Sequence, residues 1–279
     1  MKKLIYLFAA SLLAGTSIAQ DLPQPSPLSK VEQTVGLTKV SIEYSRPSAK
    51  DRVVFGDLVP FNEIWRFGAN ACTKLTSSTD LNFGGQILKA GTYAIFAIPA
   101  KGAWKVVINS DATQSGSSNY DAAKNLVSLD VKTQENPFTE TFTINISNLT
   151  NYGANISVMW EKTRVEIPFT VDTDKIAEEN IAAAFAKGEE LEKVYYKAAN
   201  YYSKSLNNDE KALDYVAKGL AIKETHGLYF LKAQILFKQG DTKTAIELGE
   251  KAHKIALEAD AKGWADFIKE TVDEWKAKK

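Results

Sequence analysis

From Lys30 to about Val171 the chain alternates apolar and polar residues with a period of two. Val40, Ile42 and Tyr44 do so, then Phe142, Ile144 and Ile146 between Thr141, Thr143 and Asn145, then Ile156, Val158 and Trp160, and finally Val165, Ile167 and Phe169. A strand points successive side chains to opposite faces, so strict alternation describes sheets with one buried and one wet face, the habit of antiparallel pairing. Turn chemistry divides the runs. Gly84-Gly85 lies between Leu81-Phe83 and Gln86-Leu88, and Pro99-Ala100-Lys101-Gly102 between Thr92-Ile98 and Trp104-Ile108, giving two hairpins. Short strands at this spacing predict an antiparallel β-sandwich over 30–171; a closed barrel is the other architecture the periodicity allows. Cys72 is the only cysteine, so no intrachain disulfide can form and packed apolar area must hold the fold. Its place in an alternating stretch predicts a buried small hydrophobe.

Near Asp172 the pattern changes. Asp172, Thr173 or Asp174 can cap a helix, and beyond them alanine, lysine, glutamate and leucine dominate with no proline to the C-terminus. Ala233, Leu236, Ala245, Gly249 and Ala252 follow the small-and-large pattern of a tetratricopeptide-type helix pair. A shift of 34 residues places Ala199 and Tyr202 at the first-helix positions, and a shift of 33 places Ala212, Val216 and Gly219 at the second-helix positions. Two repeats are expected within 172–279, followed by a terminal helix over Ala261–Lys276 with Trp264, Phe267, Ile268 and Trp275 on its apolar side.

The N-terminus reads as a leader. Lys2 and Lys3 precede the apolar run Leu4–Ala14, and Ser17-Ile18-Ala19 offers small residues for a cut before Gln20. The run is shorter than the about 20 residues that a membrane-spanning helix needs. Residues 1–19 are therefore expected to be a bacterial signal peptide, and the mature protein periplasmic or secreted. Residues 20–29, with Pro23, Pro25 and Pro27, form an extended lead-in.

Four segments of the β half occur in a recognisable order: Tyr44-Ser45-Arg46-Pro47-Ser48-Ala49-Lys50, Phe55-Gly56-Asp57-Leu58-Val59-Pro60, Ile64-Trp65-Arg66-Phe67-Gly68-Ala69-Asn70 and Ala90-Gly91-Thr92-Tyr93. They resemble a family of exported bacterial proteins, domain of unknown function 2911, over roughly Leu22 to Val171. The resemblance implies an exported β domain, often followed by helical repeats, and no established activity. It also implies that Ser115, before Gly116, stands where members often carry Trp, and that a basic residue is usual near Ser128.

The chemistry open to the chain is narrow. Its two histidines, His226 and His253, both lie in the helical half, so the β half has no imidazole for a nucleophilic triad or a metal cage. Ser115-Gly116-Ser117-Ser118-Asn119 lacks the lysine of a phosphate loop and reads as a polar loop. Basic and acidic residues balance at 34 each, which leaves no basic stripe for nucleic acid. No catalytic residue, metal ligand or cofactor is assigned.

Arginine usage is the positive signal, because Arg46, Arg52, Arg66 and Arg164 all fall in the β half of a lysine-rich chain. The planar guanidinium suits bidentate pairing with carboxylate or phosphate. Two readings follow. The arginines pair with domain carboxylates such as Glu43, Asp51, Asp57, Glu63 or Glu161, or Arg46, Arg66 and Asn70 converge on an anionic or polyhydroxylated ligand with Trp65 or Tyr93 stacking beside it. Core packing is the competing role for Trp65, Trp104 and Trp160. The expected function is a non-enzymatic binding or assembly protein of the bacterial cell envelope, its sandwich recognising a glycan, peptide or envelope component and its helices docking a protein. A carboxylate-dependent envelope hydrolase, such as a glycoside hydrolase, is the alternative.

Overall fold

The computed structural model describes residues 22–278; the leader over 1–19 and the cut before Gln20 lie outside the described residues. The chain divides into two compact units between Thr173 and Asp174.

Nine strands make up the first unit among the described residues: β1 (Leu28–Val35), β2 (Thr38–Ser45), β3 (Ala69–Ser77), β4 (Leu81–Phe83), β5 (Gln86–Leu88), β6 (Gly91–Pro99), β7 (Ala103–Asn109), β8 (Asn125–Ser147) and β9 (Gly153–Thr170). They form one open antiparallel sheet in the order β1-β2-β3-β6-β7-β8-β9-β4-β5. Both glycine-marked hairpins occur where the turn residues place them, and Gly84 (φ 60) and Gly85 (φ 95) take the left-handed conformations a two-residue turn requires.

The expected sandwich is built by folding this sheet over through its longest strand. The first part of β8 pairs with β7 and its later part with β9. Ile42, Tyr44, Leu75, Ile95, Trp104 and Ile108 on one side thereby meet Phe142, Ile144, Ile156, Trp160, Val165 and Phe169 on the other in a single buried core. The alternating runs 156–160 and 165–169 belong to one strand that stays paired with β8 through an irregularity at Glu161 (φ 49), and Ser157 Oγ donates to Glu166 at 2.7 Å across nine residues of sequence.

The fold leaves part of one edge of β8 without a neighbouring strand, and side chains occupy it. Tyr44 Oη donates to the carbonyl of Ile144 at 3.1 Å and accepts its N–H at 2.9 Å. Arg46 donates from Nε to the carbonyl of Phe142 at 3.1 Å and from Nη2 to Thr143 Oγ1 at 2.8 Å. Buried backbone groups need such partners, because an unsatisfied one forfeits its hydration with nothing in return.

On the opposite face of β3, β6 and β7 a small second cluster of Cys72, Ala94, Phe96 and Val107 packs with Ile64 and Tyr120. Cys72 is buried, as its alternating position predicts, and burial pushes its thiol up.

The second unit consists of α1 (Thr173–Lys187), α2 (Leu191–Lys204), α3 (Asp209–Ile222), α4 (His226–Lys238), α5 (Thr242–Glu258) and α6 (Lys262–Ala277). The two expected repeats are the pairs α2/α3 and α4/α5. Ala199, Ala212, Ala233, Ala245 and Ala252 are all fully buried between helices. Gly249 has no room for a side chain: a Cβ there would stand 2.4 Å from Val272 of α6. The terminal helix departs from expectation. Its buried stripe is Ala265, Ile268, Val272 and Trp275, whereas Trp264 and Phe267 remain 38% and 51% exposed. The two aromatics lie at the margin of that stripe, each making an edge contact with Phe230 of α4.

Replacing Tyr44 by Phe keeps the ring and removes both hydrogen bonds to Ile144. Urea unfolding of Tyr44→Phe is expected to show a loss of about 1–3 kcal/mol, the cost of two buried backbone groups left unpaired; an unchanged midpoint would mean that this edge is satisfied in some other way.

Candidate functional site

The residues from Trp65 to Asn70 form a tight turn between two anchors. Trp65 bridges to Ala97 of β6 through backbone bonds of 2.7 and 2.9 Å, and its ring lies within 6.1 Å of Phe55, Phe67, Trp104, Phe142 and Trp160. Phe67, two positions on, points the same way and is fully buried. Alternation therefore turns Arg66 outward, where it is half-buried.

The chain then closes on itself. Trp65 Nε1 donates to the carbonyl of Gly68 at 3.1 Å, the Thr73 N–H to the carbonyl of Arg66 at 3.3 Å, and the Thr73 hydroxyl to the carbonyl of Phe67. Phe67 (φ 58), Gly68 (φ 147) and Asn70 (φ 58) all have positive φ. Asn tolerates that region, but a bulky residue such as Phe adopts it at a cost of order 1–3 kcal/mol and only where its surroundings hold it there. Here the holding force is the aromatic core, since burying one such ring recovers about 1.5–3 kcal/mol.

The turn delivers a guanidinium with one tether. Arg66 Nη1 donates to the carbonyl of Asn70 at 3.3 Å, and the Asn70 amide is in turn fixed to Ser45 Oγ and the carbonyl of Ser26, each at 3.2 Å. Gly116 (φ 75) passes beside the guanidinium so closely that a Cβ there would stand 3.0 Å from Nη1. Among the described residues no carboxylate pairs with Arg66. Among the described residues Arg164 alone of the four arginines has such a partner, Glu166, and Arg46 and Arg52 donate to backbone carbonyls and a hydroxyl. The pairing expected with Glu43, Asp51, Asp57, Glu63 or Glu161 does not form, because backbone oxygens lie closer to these forks.

Of the five residues nominated from sequence, the structure brings together Arg66 and Asn70. Arg46 serves the edge of β8. Trp65 has its faces covered by protein rings and cannot stack on a ligand. Tyr93 pairs with Leu75, five residues beyond Asn70 along β3 or on the order of 15 Å away, and its hydroxyl donates to the carbonyl of Lys89 at 3.0 Å. Gly116 is the residue that sequence reasoning missed; a glycine set in a run of serines was its only signal.

The segment carrying Gly116 is pinned from below. Asn109, fully buried, donates to the Asp121 carbonyl and Asn125 Oδ1, each at 2.9 Å, and its Oδ1 accepts from the Asp111 N–H and from Gln114 Nε2. The carbonyl of Gln114 accepts the Cys72 N–H at 3.3 Å. Lys124 pairs with Asp111 at 2.8 Å, and that bond, with those from the Thr113 hydroxyl and N–H, lowers the Asp111 carboxyl to about 2.

The family model for proteins of unknown function, DUF2911, matches residues 26–169. The chain belongs to the DUF2911 family. The four ordered motifs thus mark the β unit as a DUF2911 domain, and the third of them is the turn that carries Arg66. No curated protein and no solved structure matches the chain. Among the described residues of the domain and the helices, no group of three or more His, Cys, Asp or Glu could hold a metal ion, and no helix is long and apolar enough to cross a membrane.

Two predictions separate anchor from cargo in the DUF2911 domain. Trp65→Ala is expected to cost about 3–5 kcal/mol in chemical denaturation, whereas Arg66→Ala, losing a single long hydrogen bond, should change stability by no more than about 0.5 kcal/mol. The Asp111 carboxyl is depressed in the folded state, so its stabilisation is present above its unfolded value of about 3.9 and is lost as pH falls from there through about 2. Hydrogen exchange at Thr113, corrected for its intrinsic pH dependence, should accelerate over that window, and Asp111→Asn should abolish the change.

Proposed function

We propose that the protein is an exported, non-enzymatic binding or assembly protein of the bacterial cell envelope. In this reading the DUF2911 domain recognises a glycan, peptide or other envelope component, and the helical unit docks a protein. The observation that carries it is Arg66: a half-buried guanidinium without an anionic partner among the described residues, held by a turn with three positive-φ residues. A cation that is positioned at the expense of local strain, and that contributes little to the fold, fits a ligand contact. The basic, apolar and small-residue segments of 1–19 support export. The exposed Trp264 and Phe267 beside the repeats support protein docking, since exposed aromatics are the usual anchors of such contacts.

The test is to display the chain from Gln20 to Lys279 on an array of envelope glycans and peptidoglycan fragments beside Arg66→Ala. Capture of a ligand by the first and its loss from the second are expected. An array on which neither protein retains anything would defeat the proposal, and release of shortened products would restore the hydrolase.

A further inference from the structure

The four arginines differ in how their planar forks are used. Arg46 donates Nε to the Phe142 carbonyl, Arg52 donates Nε to the Ala49 carbonyl at 2.8 Å, and Arg164 donates Nε to Glu166. Each of these three also uses a second nitrogen, so an edge of its guanidinium is occupied. Arg66 is tethered only at Nη1. Its Nε–Nη2 edge, the pair of parallel N–H groups that matches two oxygens of one anion, has no partner among the described residues.

We infer that this edge is a bidentate carboxylate site, with Asn70 as its positioning residue and Gly116 as the residue that sets its clearance; the inference rests on the binding reading above. Three observations converge. The tether is at the opposite corner of the guanidinium from the free edge, so it holds the group without occupying that edge. The tethering carbonyl is itself fixed, because the Asn70 amide is bonded to Ser45 and Ser26 and its φ of 58 turns the carbonyl back toward Arg66. Gly116, at φ 75, passes the guanidinium so closely that a Cβ there would stand 3.0 Å from Nη1 and oblige it to shift by a few tenths of an ångström.

Charge selects the anion. One guanidinium balances one negative charge. A phosphate monoester, at about −1.5 to −2, would be left partly uncompensated. A carboxylate is neutralised and matches the planar fork. It can belong to a sugar acid or to a peptide C-terminus, so both must be offered.

The probes are methyl galactopyranosiduronate for the first source, N-acetyl-D-alanyl-D-alanine for the second, the methyl ester of each, and inorganic phosphate, titrated calorimetrically into the chain from Gln20 to Lys279. At least one acid should bind at millimolar concentration or better, with its ester and inorganic phosphate each at least about tenfold weaker. Arg66→Lys retains the charge and discards the fork, and should weaken the acid by about tenfold or more, as should Gly116→Ala; thermal unfolding of each variant confirms that it is folded. The ester comparison uses the unaltered protein and does not depend on any variant folding. Equal binding of acid and ester, of the parent and Arg66→Lys, or of carboxylate and phosphate would overturn the inference, as would failure of both acids to bind. An array ligand indifferent to Arg66→Lys would remove this site and leave the binding reading standing; an array without any ligand would remove the reading itself.

Discussion

The aromatic core that takes in Trp65 and Phe67 on either side of Arg66 is the constraint from which the rest of the β unit follows. Trp65, Trp104, Phe142 and Trp160 come from separate stretches of sequence, and their rings meet only because β8 carries the sheet from one layer into the other. Once both neighbours are anchored, the side chain between them has one direction left. The positive-φ turn that follows is stable only while the core holds Phe67. Fold and candidate site therefore share the same energy, and the strained residues are those that aim the guanidinium.

A second regularity is the division of labour among the cations. Lysines make the surface ion pairs, such as Lys89 with Asp80 and Lys105 with Asp130, whose worth in water is small. Arginines are placed where a planar fork is needed. Arg46 closes an edge of β8, Arg52 gathers the carbonyls of Ser48 and Ala49, and Arg164 holds Glu166 on the face of β9. A residue type used three times for fork geometry is not accounted for at its fourth position by a single 3.3 Å bond to a carbonyl.

Much of this architecture was legible in the chain. Period-two alternation reports burial directly, glycine pairs report turn conformation, and the buried alanines of α2 to α5 recur at the spacing of a helix pair, so strands, hairpins and repeats could be placed. What could not be read depends on contacts distant in sequence. Arg46 and Arg66 lie in equivalent-looking motifs, and they differ because a carbonyl 96 residues away reaches one of them and no comparable group reaches the other. The irregularity of β9 at Glu161 has no glycine or asparagine to announce it. Trp264 and Phe267 share the apolar character of Ile268 and Trp275, and only the packing of α6 on its neighbours decides which of them is covered.

The claim that Arg66 is held ready and left unengaged can be measured without knowing its ligand. Nitrogen-15 NMR resolves the Nε–H of each arginine, and a bonded Nε–H exchanges with water far more slowly than a free one. At neutral pH the Nε–H groups of Arg46, Arg52 and Arg164 should be protected and that of Arg66 should exchange as in an unstructured peptide. An Arg66 signal as protected as the other three would show its fork already occupied within the protein, and the account of the site would fail.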